Sequence, residues 1–324
     1  MKTNQVGRTK VSVTALGFGG APIGNLFSPV SDEDAWGAIN SAWEGGVRYF
    51  DTAPHYGLGL SERRLGAALL GKNRNQFVVS TKVGRLITPN PSPSGSDLPN
   101  GYAVGDDFIR TIDYSSDGVK RSIDESLGRL EMDYVDIVYV HDPDNHVDQV
   151  ICETIPALIR LRDEGVIGAI GAGMNSWQPL LRFAETCDID VVMLAGRWTL
   201  LDRTGQPLLD ACASRNVSVI AAGPFNSGIL SRALPISVDH FDYQSVSPEL
   251  FARVSALADI CANHGIELPQ AAINFPLRNS AVAAVAVGVR NAVEVETDVG
   301  LMGRVIPGEL WDEVDGFERG RGEF

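Results

Sequence analysis

Eight short and nearly continuous apolar runs punctuate the 324 residues, each followed by turn residues and usually by a helical pattern. They lie at 15–19, 48–51, 77–82, 135–141, 167–171, 191–194, 217–221 and 283–287. Val, Ile and Ala dominate most of them, the composition of strands buried on both faces of a parallel sheet. Helical patterns fit 32–44, 118–130, 149–164, 177–185, 206–215, 248–264 and 291–301. In the first, Ser31 can cap, acidic residues fill the opening turn and Gly45-Gly46 ends it. In the second, opened by Ser116 and Asp117, the residues Val119, Ile123, Leu127 and Leu130 make one apolar stripe. Eight strands alternating with helices form either a (β/α)8 barrel or an open doubly wound sheet. No short-period repeat or Gly/Ser linker divides the chain, so residues 1–324 read as one domain.

Two segments fall outside the alternation. Residues 3–12 alternate weakly around Gly7-Arg8 and read as a hairpin plugging a barrel floor. Residues 83–114, rich in Pro, Gly, Ser and Asn, form a long insertion after the third strand. A loop of that length is usually functional or disordered, and the C-terminal end of a strand is where barrel enzymes build their pockets.

Charge narrows the partners. A net charge of −14 repels phosphate backbones and anionic lipid, which argues against nucleic acid and membrane surfaces. Cys152, Cys187, Cys212 and Cys261 are scattered, with no C-x-x-C pair, and read as fillers of a reduced cytoplasmic protein that carries no metal site. The first residues carry Lys and Arg without an apolar run, unlike a signal peptide. A monomer or homodimer is expected.

The stretch from Gly17 to Gly24 resembles a dinucleotide-binding turn only superficially. Pro22 stands where the third glycine of G-x-G-x-x-G belongs, and helical pattern resumes only after Ser31. The chemistry gathers elsewhere. Asp51 closes the second strand and runs into Thr52-Ala53-Pro54-His55-Tyr56-Gly57, Lys82 closes the third and His141 the fourth. In a barrel these strand ends open into one bowl. A lysine ammonium within about 4–6 Å of a phenol favours the phenolate, and a carboxylate such as Asp51 holds that lysine charged. His141 can orient a substrate oxygen or share its proton. Such a set suits proton transfer at a carbonyl or alcohol oxygen while a cofactor carries hydride.

The run Gly46-Val47-Arg48-Tyr49-Phe50-Asp51-Thr52-Ala53-Pro54-His55-Tyr56-Gly57, followed by Ser61-Glu62 and Leu65-Gly66, resembles the signature of aldo-keto reductases. Ser80-Thr81-Lys82 and Asp136 to His141 resemble that family's lysine and histidine motifs, and the likeness extends from about residue 7 to 301. The resemblance implies a (β/α)8 barrel, with Tyr56 as acid–base, Lys82 and Asp51 as its tuning partners and His141 orienting substrate. It implies an NAD(P) cofactor held by Gly20, Ala21, Asp51, Asn175, Trp198, Pro224, Phe225, Asn226, Gly228, Leu230, Gly288, Val289, Arg290, Glu294, Thr297 and Asp298. His55 and Asp142 join Tyr56 and His141 around the substrate.

Finer markers, among them His141-Asp142-Pro143-Asp144 and Gly196-Arg197-Trp198, resemble the bacterial L-fucose and D-threo-aldose 1-dehydrogenase branch, to which some pyridoxal 4-dehydrogenases are similar. Three positions depart from the family. Met174-Asn175 replaces Ser-Asn, Ala195 replaces a glutamine, and Trp198 replaces the tyrosine that stacks on nicotinamide. Where phosphate-preferring members carry Lys and Arg, Gly288 and Glu294 stand here; a carboxylate repels a 2′-phosphate and suits a bare ribose hydroxyl. Arg290 pulls the other way, and NAD is expected ahead of NADP. Few aromatic residues are expected near the bowl, which favours a small hydroxylated substrate, a sugar first and a pyridoxal-like ring second. The alternatives are an NADP-dependent reductase of small aldehydes or ketones, a non-catalytic cofactor-sensing subunit, and a Schiff-base aldolase using Lys82.

Overall fold

A computed structural model describes residues 1–236, 240–241 and 244–320. The eight apolar runs are strands: β1 (Leu16–Gly19), β2 (Tyr49–Asp51), β3 (Val78–Val83), β4 (Ile137–His141), β5 (Ala169–Met174), β6 (Val191–Ala195), β7 (Ser218–Ala222) and β8 (Val282–Gly288). All pair in parallel, and the sheet closes where β8 meets β1, from Val285 opposite Leu16 to Gly288 opposite Gly19. That pairing decides for the barrel over the open sheet, because it leaves no edge strand.

The shell consists of α1 (Asp32–Glu44), α2 (Leu60–Leu69), α3 (Ser116–Leu130), α4 (Ile155–Asp163), α5 (Trp177–Thr186), α6 (Gln206–Arg215), α7 (Pro248–Asn263), α8 (Leu268–Asn274), α9 (Ala292–Met302) and α10 (Gly308–Arg319). Ser31 caps α1 by accepting from Asp34 N. The cap of α3 is Ser115, one residue before the expected opening, accepting from Gly118 N. The helix expected at 149–164 enters α4 through a short turn, Val147–Gln149, and a π turn, Val150–Thr154. Three helices, α2, α8 and α10, go beyond the periodic pattern.

One apolar core lies between strands and helices and another inside the barrel, where Tyr49, Ile137, Tyr139, Val191 and Ile220 meet. The expected floor hairpin is present as Thr3–Gln5 paired with Ser12–Thr14. Val6 and Val13 on it are fully buried, and Gly7 N donates to Ser218 Oγ at 2.8 Å. Burying two valines in this way stabilises by roughly 1.5–3 kcal/mol each relative to leaving them in water.

Residues 83–114 are an ordered antiparallel ribbon, Arg85–Pro89 against Phe108–Ile112. Its tip is held by polar contacts in place of an apolar core. Asp106 accepts from Ser94 N and Gly95 N, each at 2.6 Å, and Asp97 takes both terminal nitrogens of Arg110 at 2.7 Å. A bridge between Leu26 and Tyr102 ties the ribbon to the loop after β1. The four cysteines are free. Among the described residues no helix is long and apolar enough to cross a membrane.

Candidate active site

The strand ends place Asp51, Lys82 and His141 side by side, and the turn after β2 brings Tyr56 over them. Lys82 Nζ donates to Asp51 Oδ2 at 2.6 Å and to Thr52 O at 3.0 Å, and it sits 4.7 Å from the centroid of the Tyr56 ring. The Tyr56 and His141 rings meet edge-on with centroids 5.8 Å apart. Burial pushes the Asp51 carboxyl upward, while Lys82 and Ser80 pull it back toward ionisation.

His141 is buried, and burial together with Arg85 and Lys82 drives its pKa well below the usual imidazole range. It is therefore neutral around pH 7, the form that can orient a substrate oxygen through a ring N–H. Its Nδ1 is buried without a partner, and its Nε2 lies 3.5 Å from Asp142 Oδ2.

Local sequence explains the turn. Gly57 has φ +62°, and a Cβ there would lie 2.1 Å from Gly24 O, so only glycine lets the two loops touch behind Tyr56. Ser61 and Glu62 anchor α2 to the strands. Ser61 Oγ donates to Gly20 O at 2.7 Å, and Glu62 accepts from Thr81 Oγ1 at 2.8 Å and Arg129 Nε at 2.6 Å.

The ribbon supplies residues that sequence reasoning missed. Arg85 donates to Asp142 Oδ2 at 2.8 Å and to His55 Nδ1 at 3.3 Å. A guanidinium can only donate, so His55 Nδ1 accepts and its proton resides on Nε2. Burial and the cations Arg85, Arg110 and Lys82 lower the His55 pKa to about 2. Arg110 donates to His55 O at 2.8 Å, and Tyr102 lies over Tyr56 with centroids 6.3 Å apart at 28°. Tyr102 joins His55, Tyr56 and His141, already expected at the bowl, in one cluster of rings. The signal available in the sequence was the ribbon's placement after β3 alone.

The remaining residues fall around the same mouth. Gly20 N donates to Asp51 O at 2.8 Å, and Ala21 follows it into the Pro22–Gly24 turn. Asn175 lines a cleft of about 510 Å³ with Arg85, Tyr114, Asp142 and Ser176. Pro224, Phe225, Asn226 and Gly228 form the turn after β7; Asn226 Oδ1 is buried without a partner, an acceptor left for a bound group.

Gly288 packs against Pro22, and Val289 is buried beside it. Arg290 donates to Ser28 Oγ and Leu26 O, each at 2.5 Å. Glu294 accepts from Arg290 N at 2.8 Å. Thr297 Oγ1 returns to Val293 O, and Asp298 is buried with its pKa raised to about 7 by burial and by Glu294.

Trp198 is only 7 % exposed, packs on Phe275 at 5.4 Å and donates to Pro276 O at 3.2 Å. Leu230 is fully buried and its N–H donates to Phe225 O. A larger depression of about 920 Å³ lies at the opposite end of the barrel, where Arg8 is ion-paired with Asp188 and Arg162 with Asp190.

A sequence profile described as the Aldo/keto reductase family matches residues 15–319. The chain belongs to that family. It is an oxidoreductase of the aldo-keto reductase type, and such enzymes use NAD(P)(H). A D-threo-aldose 1-dehydrogenase from Pseudomonas sp. is 44% identical over 308 residues, covering 94% of each chain. A pyridoxal 4-dehydrogenase from Microbacterium luteolum is 39% identical, again over 94% of both. The solved holo form of an aldo-keto reductase from Bacillus halodurans superimposes with a TM-score of 0.78 at 26% identity, over 98% of this aldo-keto reductase and 96% of that chain.

Proposed function

We propose that this aldo-keto reductase is an NAD-dependent dehydrogenase of a small polyhydroxylated substrate, an aldose oxidised at its anomeric carbon to a lactone. The observation that carries this is the polar rim around Tyr56 and His141, made of His55, Arg85, Asp142 and Arg110. Polar groups buried against an apolar substrate cost roughly 1–3 kcal/mol each, whereas sugar hydroxyls supply partners for them. The likeness to a D-threo-aldose 1-dehydrogenase supports the same class. A pyridoxal-like ring is the second reading, favoured by the flat face of Tyr102 and by the second relative.

In this reading Tyr56 takes the proton of the anomeric hydroxyl. Lys82, 4.7 Å from the ring, favours the phenolate, and Asp51 holds Lys82 in place. Neutral His141 donates an N–H to the substrate oxygen and orients it. A bound nicotinamide would supply the hydride acceptor that oxidation of the anomeric carbon requires. The buried Asn226 Oδ1 and the exposed carboxamide of Asn175 are the side chains suited to hold its polar groups.

For NAD over NADP two contacts matter. Glu294 opposes a 2′-phosphate, and the Arg290 guanidinium is committed to Ser28 and Leu26. Glu294→Arg is expected to move cofactor preference toward NADP by tenfold or more, read as the ratio of dissociation constants in fluorescence titration. A wild-type preference for NADP of that size would overturn the reading. The substrate is tested with a panel of aldoses, pyridoxal and simple aldehydes, each with both cofactors, followed by nicotinamide absorbance. Rapid oxidation of aldoses with NAD is expected; inert aldoses beside rapid turnover of apolar aldehydes would refute the sugar reading.

A further inference from the structure

Two residues before each of Asp51, Lys82 and His141 stands a hydroxyl: Tyr49, Ser80 and Tyr139. Side chains alternate along a strand, so these three share the inward face and lie one layer deeper in the barrel. All three are fully buried. Ser80 Oγ donates to Asp51 Oδ1 at 2.6 Å, Tyr49 OH lies 3.1 Å from Ser80 Oγ, and Tyr139 OH lies 3.3 Å from Tyr49 OH.

The geometry allows one direction of donation. A carboxylate only accepts, and each hydroxyl carries a single proton. Ser80 has committed its proton to Asp51, so Tyr49 donates to Ser80 and Tyr139 donates to Tyr49. Burial raises both phenols far above their ordinary range and keeps them protonated donors. The barrel makes room for this: a Cβ on Gly17 would come within 2.5 Å of Tyr49 Cδ1, so β1 carries glycine opposite the ring.

We propose that Ser80, Tyr49 and Tyr139 form a positioning layer that fixes the Asp51 carboxylate and thereby sets the pH at which Tyr56 works. The inference rests on the acid–base reading of Tyr56. Three aligned hydroxyl dipoles draw off the negative potential of Asp51, and hydrogen bonds in such a chain polarise one another. Less of the positive potential of Lys82 is then cancelled at Tyr56. The other groups facing Tyr56 do not titrate in the same window. His55 and His141 stay neutral, Arg85 is paired with Asp142, and Arg110 with Asp97. Tyr102, also facing it, belongs to the ribbon. Without the Ser80 donor, Asp51 Oδ1 regains its full charge and its freedom to rotate, so the phenol ionises at higher pH.

The test is the pH profile of kcat/KM for oxidation with saturating NAD. Ser80→Ala is expected to move the rising limb about one pH unit toward alkali, a loss of roughly tenfold in rate at pH 7 that high pH restores. Ser80→Thr should recover the wild-type limb, Tyr49→Phe should shift it by less, Tyr139→Phe least, and NAD dissociation constants should stay within about twofold. Tyr49→Phe and Tyr139→Phe keep the core volume, so they carry the test if Ser80→Ala folds poorly. Limbs that superimpose on wild type, move toward acid, or drop equally at every pH overturn the proposal. Tyr56→Phe in the same series separates the two ideas: a rising limb that survives in it refutes the acid–base reading itself.

Discussion

Tyr56→Phe is expected to lower turnover by at least about 10²–10⁴-fold, the range lost when a general acid–base is removed. The phenyl ring keeps the edge contact with His141 and the face near Tyr102, so folding and cofactor binding should remain near normal. Steady-state rates and nicotinamide fluorescence titration check both halves. In the oxidative direction the wild-type rate should rise with pH as the phenol ionises. Burial, with Arg85 and Lys82, holds the His141 pKa well below the usual imidazole range, so its neutral form is the one that meets the substrate around pH 7. Turnover near the wild-type level in Tyr56→Phe would remove the basis for assigning this site.

Lys82→Met should act on stability and activity together. The side chains of Lys82 and Asp51 are 2 % and 5 % exposed, and the pair is joined at 2.6 Å. Removing one partner of such a buried pair leaves an uncompensated charge and costs about 3–5 kcal/mol. Replacing both, as Asp51→Leu with Lys82→Met, should recover most of that loss, since apolar side chains of similar volume are tolerated where a buried pair stood. Activity should stay low in both variants, because neither leaves a cation beside Tyr56. Urea unfolding and turnover measured on the same preparations decide the matter: a fully active double variant would show that the pair serves only the fold.

The strands were legible because burial on both faces writes itself locally, as in Val191–Ala195 and Val282–Gly288. The helix α2 was not, because Ser61 and Glu62 occupy fully buried positions and break the apolar period. They are buried for partners on other elements, Gly20, Thr81 and Arg129, which no local pattern records. Asp51, Tyr56, Lys82 and His141 could be picked out because each stands at or just beyond a strand end. Arg85, Tyr102 and Arg110 could not, since the ribbon that carries them is held by Asp97, Asp106 and the Leu26 bridge and shows no apolar alternation.

Sequence alone determined the order of the eight barrel strands and of seven helices between them, the four groups suited to proton chemistry and the resemblance to the family. These are properties of short segments, where side-chain period and neighbouring residue types act directly on the backbone. Tertiary structure alone decided the rest. The pairing of β8 with β1 chose a closed barrel over an open sheet. Folding of the ribbon set the tautomer of His55 through Arg85, and Trp198 was packed on Phe275. Arg290 could not be weighed until its guanidinium was seen on Ser28, 262 residues away in the chain. The line of hydroxyls beneath Asp51 exists only where three strands are held in register, because each of its hydrogen bonds joins residues from different strands.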